Sequence, residues 1–204
     1  GSRSRPRPTL SADGTGLPAV LADFAATDPD RMDTIFEETR AIVPAFEKAR
    51  MPRQIVGIDA DNLQIVGHGL ELRIRGQWLN ASLASEGTLL VLGLMTIVHG
   101  LSSTRLLLMD DIERGLHPKA QRILMSHLAQ LADSGRLQIV CSTHSPYFVD
   151  GAEPEDVLVV RASPADGFTR CRPLVEHEDW KNWRGSLSPG EFWSFVGEDW
   201  LEVV

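Results

Sequence analysis

Cysteine is scarce in this sequence, which holds two, Cys141 and Cys171. They lie in unlike surroundings and no C-x-x-C spacing occurs, so neither a structural zinc site nor a disulfide framework is indicated. Cys141 sits inside an apolar run and reads as a small core residue. A reducing cytoplasm is the expected location. Long apolar runs are missing as well. The densest stretch, Leu89 to Val98, is interrupted by Gly93 and Thr96 and is too short to cross a bilayer. No secretory signal is recognisable. Positive charge is in deficit, because 20 Lys and Arg stand against 28 Asp and Glu and leave a net charge of −8. That balance argues against a basic nucleic-acid groove over the whole chain, though it leaves room for a local patch. Arg3, Arg5 and Arg7 alternate with Ser and Pro and read as a solvated end in preference to a nucleic-acid arm. No internal repeat is visible.

What is present suffices for one full domain with a proper core: 204 residues, 43% hydrophobic and 24% charged. Gly1-Ser2 reads as an expression scar, and residues 1–16 as linker or tag, rich in Pro, Ser, Gly and Arg. Residues 17–53 read as helical. Leu17 to Phe24 tolerates Pro18 in a first turn. Asp28-Pro29-Asp30 is a helix start, with Asp28 as cap. Met32, Ile35, Phe36, Thr39 and Val43 then follow at helical spacing. Pro44 marks a kink or stop, and a second piece runs from Ala45 to Met51. Over 54–82 the period changes to two. The Asp61-Asn62 and Gly67-His68-Gly69 turns separate three antiparallel strands, a small meander. Residues 83–160 form the expected core. A helix that is apolar almost all round, from Leu89 to Val98, should be buried; Ser85 is its cap and Ser102-Ser103-Thr104 closes it.

Within that core, Leu106-Leu107-Leu108-Met109 runs directly into Asp110 and Asp111. A short apolar run of this kind reads as a strand of a parallel α/β sheet, buried on both faces. After Pro118 comes an amphipathic helix with Ala120, Ile123, Leu124, Leu128 and Leu131 on one face, ended by Asp133-Ser134-Gly135. Leu137 to Cys141 is the next strand, so strand, helix and strand make a βαβ unit. Val157 to Val160 is a further strand. Residues 161–204 are a tail with Trp180, Trp183, Phe192, Trp193, Phe195 and Trp200. These read as aromatic packing onto the body in preference to an exposed docking surface.

Parallel strands bring their carboxyl ends to one edge, where ligands of open α/β sheets bind. Asp110 and Asp111 could there hold Mg²⁺ or position water; the bland alternative is a polar turn. Ser142, Thr143 and His144 end the neighbouring strand, which brings His144 near the acids. A His can hydrogen-bond a phosphate oxygen or an attacking water. The Ser85-Glu86-Gly87 helix start is a ready-made anion site. Together these point to nucleoside triphosphate chemistry.

The residues that carry this chemistry resemble a known family. Leu83-Ala84-Ser85-Glu86-Gly87-Thr88 resembles the ABC signature L-S-x-G, and Leu107-Leu108-Met109-Asp110-Asp111 resembles Walker B. Gly115-Leu116-His117-Pro118 resembles the D-loop region G-L-H-P, and Thr143-His144-Ser145-Pro146 the switch-histidine motif T-H-S-P. In order and spacing the chain resembles the C-terminal half of an ABC-class ATPase head of the RecF/SMC-like kind, the group that includes OLD-family ATPase domains and stand-alone bacterial AAA ATPases. The segment from Leu17 to Pro44 and the Gly190-to-Trp200 tail are similar to this family less specifically.

The resemblance implies an α/β fold. It is the C-terminal lobe of a P-loop NTPase, ABC-type head, with parallel strands, flanking helices and the small antiparallel meander, filling residues 17–204. It implies ATP and Mg²⁺ as cofactors. Asp110 would hold the metal through water, Asp111 would polarise the attacking water, and His144 would contact the γ-phosphate or that water. Ser85, Glu86 and Gly87 would contact ATP held by a second head, and Gly115 to His117 would cross the dimer interface, His117 counting among the ATP-binding residues as well. DNA and an effector protein are further partners such heads take, in DNA repair or anti-phage defence; no membrane is implied.

Two departures stand out. The catalytic position is usually Glu and here is Asp111, with Glu113 a substitute. No G-x-x-x-x-G-K-[ST] occurs in the chain. That loop cradles the phosphates, so the chain is expected to be a C-terminal part, inactive alone, of a protein whose N-terminal lobe carries Walker A. Two alternatives remain. One is a Mg²⁺-dependent nuclease using Asp110, Asp111 and Glu113; the other is a non-catalytic dimerisation or docking module.

Overall fold

The computed structural model describes residues 8–58, 62–100, 105–135 and 137–202. They fall into two compact units, 1–104 and 105–204. Arg3, Arg5, Arg7, Asp61 and the stop at Ser102-Ser103-Thr104 lie outside the described residues. No helix among the described residues is long and apolar enough to cross a membrane.

In the first unit, α1 spans Leu17–Thr27 and α2 spans Pro29–Ile42. Asp28 caps α2 as its sequence predicts, accepting from the Arg31 N–H at 3.2 Å. Met32, Ile35, Phe36, Thr39 and Ile42 are buried on one face of α2. The stretch after Pro44, expected to be helical, is instead strand β1, Phe46–Arg50. Two prolines bracket a segment too short to hold a helix by itself but long enough for a strand. Phe46 is fully buried and meets Phe36 edge to face, with ring centroids 5.6 Å apart.

The expected meander divides into two sheets. Strands β2 (Arg53–Ile58) and β3 (Gln64–His68) form a hairpin of their own. Strand β4 (Glu71–Ile74) pairs with β1 on one side and with β5 (Gln77–Asn80) on the other. The β4–β5 turn carries Arg75 at φ 48° and Gly76 at φ 79°, the left-handed pair that a two-residue hairpin demands. The sequence reading missed both this turn and β5.

Helix α3 spans Glu86–Gly100 and is buried along most of its length, as its all-round apolarity requires. Ser85 caps it by accepting from the Thr88 N–H at 3.3 Å. Its last turn is joined to α2 through His99 Nε2 and Glu38 Oε2, 2.5 Å apart. Gly100 approaches so closely that a Cβ there would fall 2.7 Å from the Phe24 ring.

In the second unit, β6 (Leu106–Met109) and β7 (Gln138–Cys141) pair in parallel, connected by α4 (Pro118–Asp133). This is the predicted βαβ unit. One expectation fails. β6 is not covered on both faces, since Leu106, Leu108 and Val140 are 49%, 68% and 60% exposed. Two strands and one crossover helix cover one side of a sheet and leave the other open. Helix α5 (Pro146–Val149) follows β7. Strand β8 (Leu158–Ala162) pairs with β9 (Thr169–Pro173), antiparallel and as a separate ribbon.

Helices α6 (Trp180–Trp183) and α7 (Pro189–Val196) close the chain. Val159, Leu174, Trp180, Phe192 and Leu201 make one buried cluster. Trp180 and His177 both meet the Phe192 ring edge to face, at 5.1 and 5.2 Å. Packing therefore accounts for most of the aromatic tail, while Trp183 and Phe195 remain exposed. A capping box of Ser188 and Glu191 starts α7. Its Gly190 N–H donates to Asp150 Oδ1 at 2.9 Å. A Cβ on Gly190 would lie 2.0 Å from the Pro146 carbonyl oxygen.

The close approach of α7 to α5 yields the first prediction. Gly190→Ala should destabilise the protein by about 1–3 kcal/mol, whereas Gly185→Ala, with nothing within 4 Å, should be near neutral. Thermal unfolding of both variants checks it.

Candidate functional site

Register decides what stands at the carboxyl edge of the parallel pair. Leu106 is opposite Gln138 and Met109 opposite Cys141, so both strands end level. Asp110 and Asp111 leave β6 level with the point at which Ser142, Thr143 and His144 leave β7. The Ser142 N–H donates to the Met109 carbonyl at 2.9 Å, extending the ladder past the last strand residue.

Side chains then lace the two loops together. The Ser142 hydroxyl donates to Asp110 Oδ1 and accepts from the Asp111 N–H at 3.1 Å. Asp111 itself has φ 49°, in the left-handed region. The next residue, Ile112, is 1% exposed and anchors the loop in the core. Asp110, Asp111 and His144 are exposed.

Glu113 faces the other loop. Its Oε1 accepts from the His144 N–H at 2.7 Å, while its Oε2 is buried without a hydrogen-bond partner. Burial alone would raise the Glu113 pKa. Hydrogen bonds from the Thr143 hydroxyl and the His144 N–H, with the charge of His144, outweigh it and hold the carboxyl below its ordinary value. Burial and the neighbouring Glu113 charge push the Cys141 thiol up; the side chain is half-buried on β7 and not the core residue its sequence context suggests.

A second layer fixes the loop ends. Gln121, buried on α4, donates to the Leu116 carbonyl at 2.8 Å and accepts from the Ser145 hydroxyl. His117 caps α4, its Nδ1 accepting from the Lys119 N–H at 3.3 Å. Gly115 at φ 69° turns the chain between Glu113 and the cap.

Of the residues singled out by sequence, Asp110, Asp111, Glu113 and His144 are thus gathered at one edge, with His117 one turn further on. Ser85, Glu86 and Gly87 belong to the first unit, at the start of α3. Sequence reasoning missed Ser142, Thr143 and Gln121 as working parts. A hydroxyl pair at a strand end opposite two acids is the signal that could have found the first two.

The donor set at Asp110 fits Mg²⁺. That ion takes one or two carboxylates, keeps several waters and completes its shell with phosphate oxygens. Exposed carboxylates beside a hydroxyl offer hard oxygens of this kind. Among the described residues no group of three or more His, Cys, Asp and Glu gathers as a metal cage.

Comparison with known proteins bears on the family and the fold. Residues 13–150 match the family described as "AAA domain, putative AbiEii toxin, Type IV TA system". The OLD nuclease of Thermus scotoductus is 39% identical over 59 residues, which make up 29% of this chain and 11% of that protein. The chain therefore matches only a small part of this relative's length. Among solved structures, an SMC ATPase studied for ATP-driven dimerisation and DNA-stimulated activation aligns at TM-score 0.52 and 15% identity, over 81% of this chain and 96% of that one. An SMC head bound to the C-terminal winged-helix domain of ScpA aligns at TM-score 0.55 and 15% identity, over 82% and 49%. An SMC head with an extended coiled coil from Pyrococcus furiosus, bound to the C-terminal domain of ScpA, aligns at 0.55 and 15%, over 81% and 39%. At such identities these likenesses show the fold, an ABC-type ATPase head.

The depressed Glu113 pKa sets a pH dependence. A folded pKa below the unfolded one contributes stability that is fully present above the unfolded value, about 4.3 for glutamate, and is lost as pH falls through the folded value. The His144 amide should accordingly exchange more slowly in the wild type than in Glu113→Gln near neutral pH, and that difference should close in acid. Amide hydrogen exchange of both proteins across the range checks it.

Proposed function

The chain belongs to this AAA domain family, with the ABC-type head fold and an OLD-like relationship, and from that premise we propose that it is the C-terminal lobe of a dimerising head that binds and hydrolyses ATP. The observation that carries the reading is the level edge of β6 and β7, where Asp110, Asp111, Glu113 and His144 converge.

Asp110 is the metal-holding acid. Bound Mg²⁺ supplies neutralisation of the charge on the phosphate oxygens. Asp111 accepts a hydrogen bond from the attacking water and so orients it. His144, with its backbone fixed by Glu113, presents its imidazole to the γ-phosphate. Ser85, Glu86 and Gly87, at the N-terminus of a buried 15-residue helix, offer backbone N–H groups to the phosphate of ATP held by a second head. His117 and Gly115 lie toward the dimer interface.

A further lobe completes the site. The apolar strip of Leu106, Leu108 and Val140 has the character of a sheet face that expects cover. A lobe adding strands there would bring the phosphate-cradling loop that this sequence lacks. The proposal extends to a role in DNA repair or anti-phage defence, with DNA and an effector as partners; the nuclease relative supports DNA as a partner.

The nuclease reading of Asp110, Asp111 and Glu113 is not preferred, because the Glu113 carboxylate is engaged by the His144 N–H. A docking module without catalysis remains the alternative for the chain on its own.

Asp111→Ala in the full-length protein should lower ATP turnover by about 10²-fold or more while leaving ATP binding in place, and Ser85→Arg should abolish ATP-dependent dimerisation. Turnover assays and light scattering check both. A full-length protein that binds no ATP sinks the proposal, and DNA cleavage with Mn²⁺ and no ATP would put the nuclease reading first. The 204-residue chain alone should show no appreciable turnover; robust turnover from it would remove the need for a further lobe.

A further inference from the structure

We infer that Ser142 is a positioning residue for both adjacent aspartates, an inference that rests on the ATPase reading above. Ser142 is the first residue beyond β7. Its backbone is fixed by the ladder bond to Met109, so its side chain is delivered to the acids by the sheet itself and not by a loop. From there it engages three successive residues of the facing segment. The hydroxyl donates to Asp110 Oδ1 and accepts from the Asp111 N–H at 3.1 Å, while the carbonyl accepts from the Ile112 N–H at 3.4 Å.

A hydroxyl suits this place because it donates and accepts at the same time. Donation fixes one oxygen of Asp110, and with it the plane of the carboxylate that is to meet the metal. Acceptance supports Asp111 in its φ 49° conformation, a left-handed backbone that residues other than glycine adopt at a cost. Without the acceptor, Asp111 has less to hold its backbone in that region. One side chain thus sets the direction of the metal acid and the backbone from which the water-orienting acid projects.

These bonds lie at exposed atoms, where a hydrogen bond adds little to global stability. A merely structural role and a positioning role therefore predict different results. The test uses the full-length protein with ATP and Mn²⁺ as probe, reading bound Mn²⁺ by electron paramagnetic resonance together with kcat, KM and thermal unfolding. Ser142→Ala should weaken Mn²⁺ affinity about tenfold and lower kcat, with KM for ATP and the melting temperature nearly unchanged. Ser142→Thr, which keeps the hydroxyl, should restore Mn²⁺ affinity to within about threefold of wild type. Should Ser142→Ala fail to fold, Ser142→Cys, of similar size with a weak donor, should show the same loss of Mn²⁺ affinity. Wild-type Mn²⁺ affinity in the Ala or Cys variant overturns the inference, as does equal loss in Ala and Thr. A wild-type protein that binds no Mn²⁺ with ATP overturns the ATPase reading itself, before any variant is compared.

Discussion

The parallel pairing of β6 with β7 is the constraint on which the chemistry of the second unit depends. Leu106 to Met109 match Gln138 to Cys141 residue for residue. A slip of one position would turn every side chain of one strand to the other face. It would also carry Ser142 past Asp110 and take the His144 N–H away from Glu113. No single bond across the edge is strong. Their common dependence on one register makes the two loops a single object, in which the direction of the acids and the backbone of the histidine are decided together.

Much of this was legible in the sequence. The apolar run ending in Asp110 and Asp111, the crossover helix after Pro118, and the strand ending in Ser142 are written as local patterns that tertiary structure had no reason to override. The caps at Asp28 and Ser85 were equally plain, because they depend on neighbours within one turn. Residues whose state depends on distant partners were not. The stretch from Phe46 to Arg50 looked helical until Phe46 found Phe36 and β4 supplied hydrogen bonds. The division of the antiparallel strands into two sheets is a choice of partners, which periodicity cannot express. Glu113 read as a spare catalytic acid; only the loop folded against it shows its carboxylate engaged by the His144 N–H.

The tail takes part in the edge at one remove. Helix α7 meets α5, the helix that directly follows His144 and Ser145, through Gly190 and Asp150. Asp150 also receives Arg122 from α4 at 3.2 Å. The segment after β7 is therefore held from the crossover helix and from α7, and the aromatic cluster around Phe192 buries the inner face of that helix.

The left-handed backbone of Asp111 bears on which acid this position accepts. Short polar side chains enter that region of φ far more readily than long ones, because Asp and Asn can satisfy their own neighbouring backbone. A glutamate would extend the reach by one methylene but would sit less comfortably on the same peptide. The shorter acid is the one this turn favours. At this position backbone geometry and side-chain length are coupled, and a change in one sets the terms for the other.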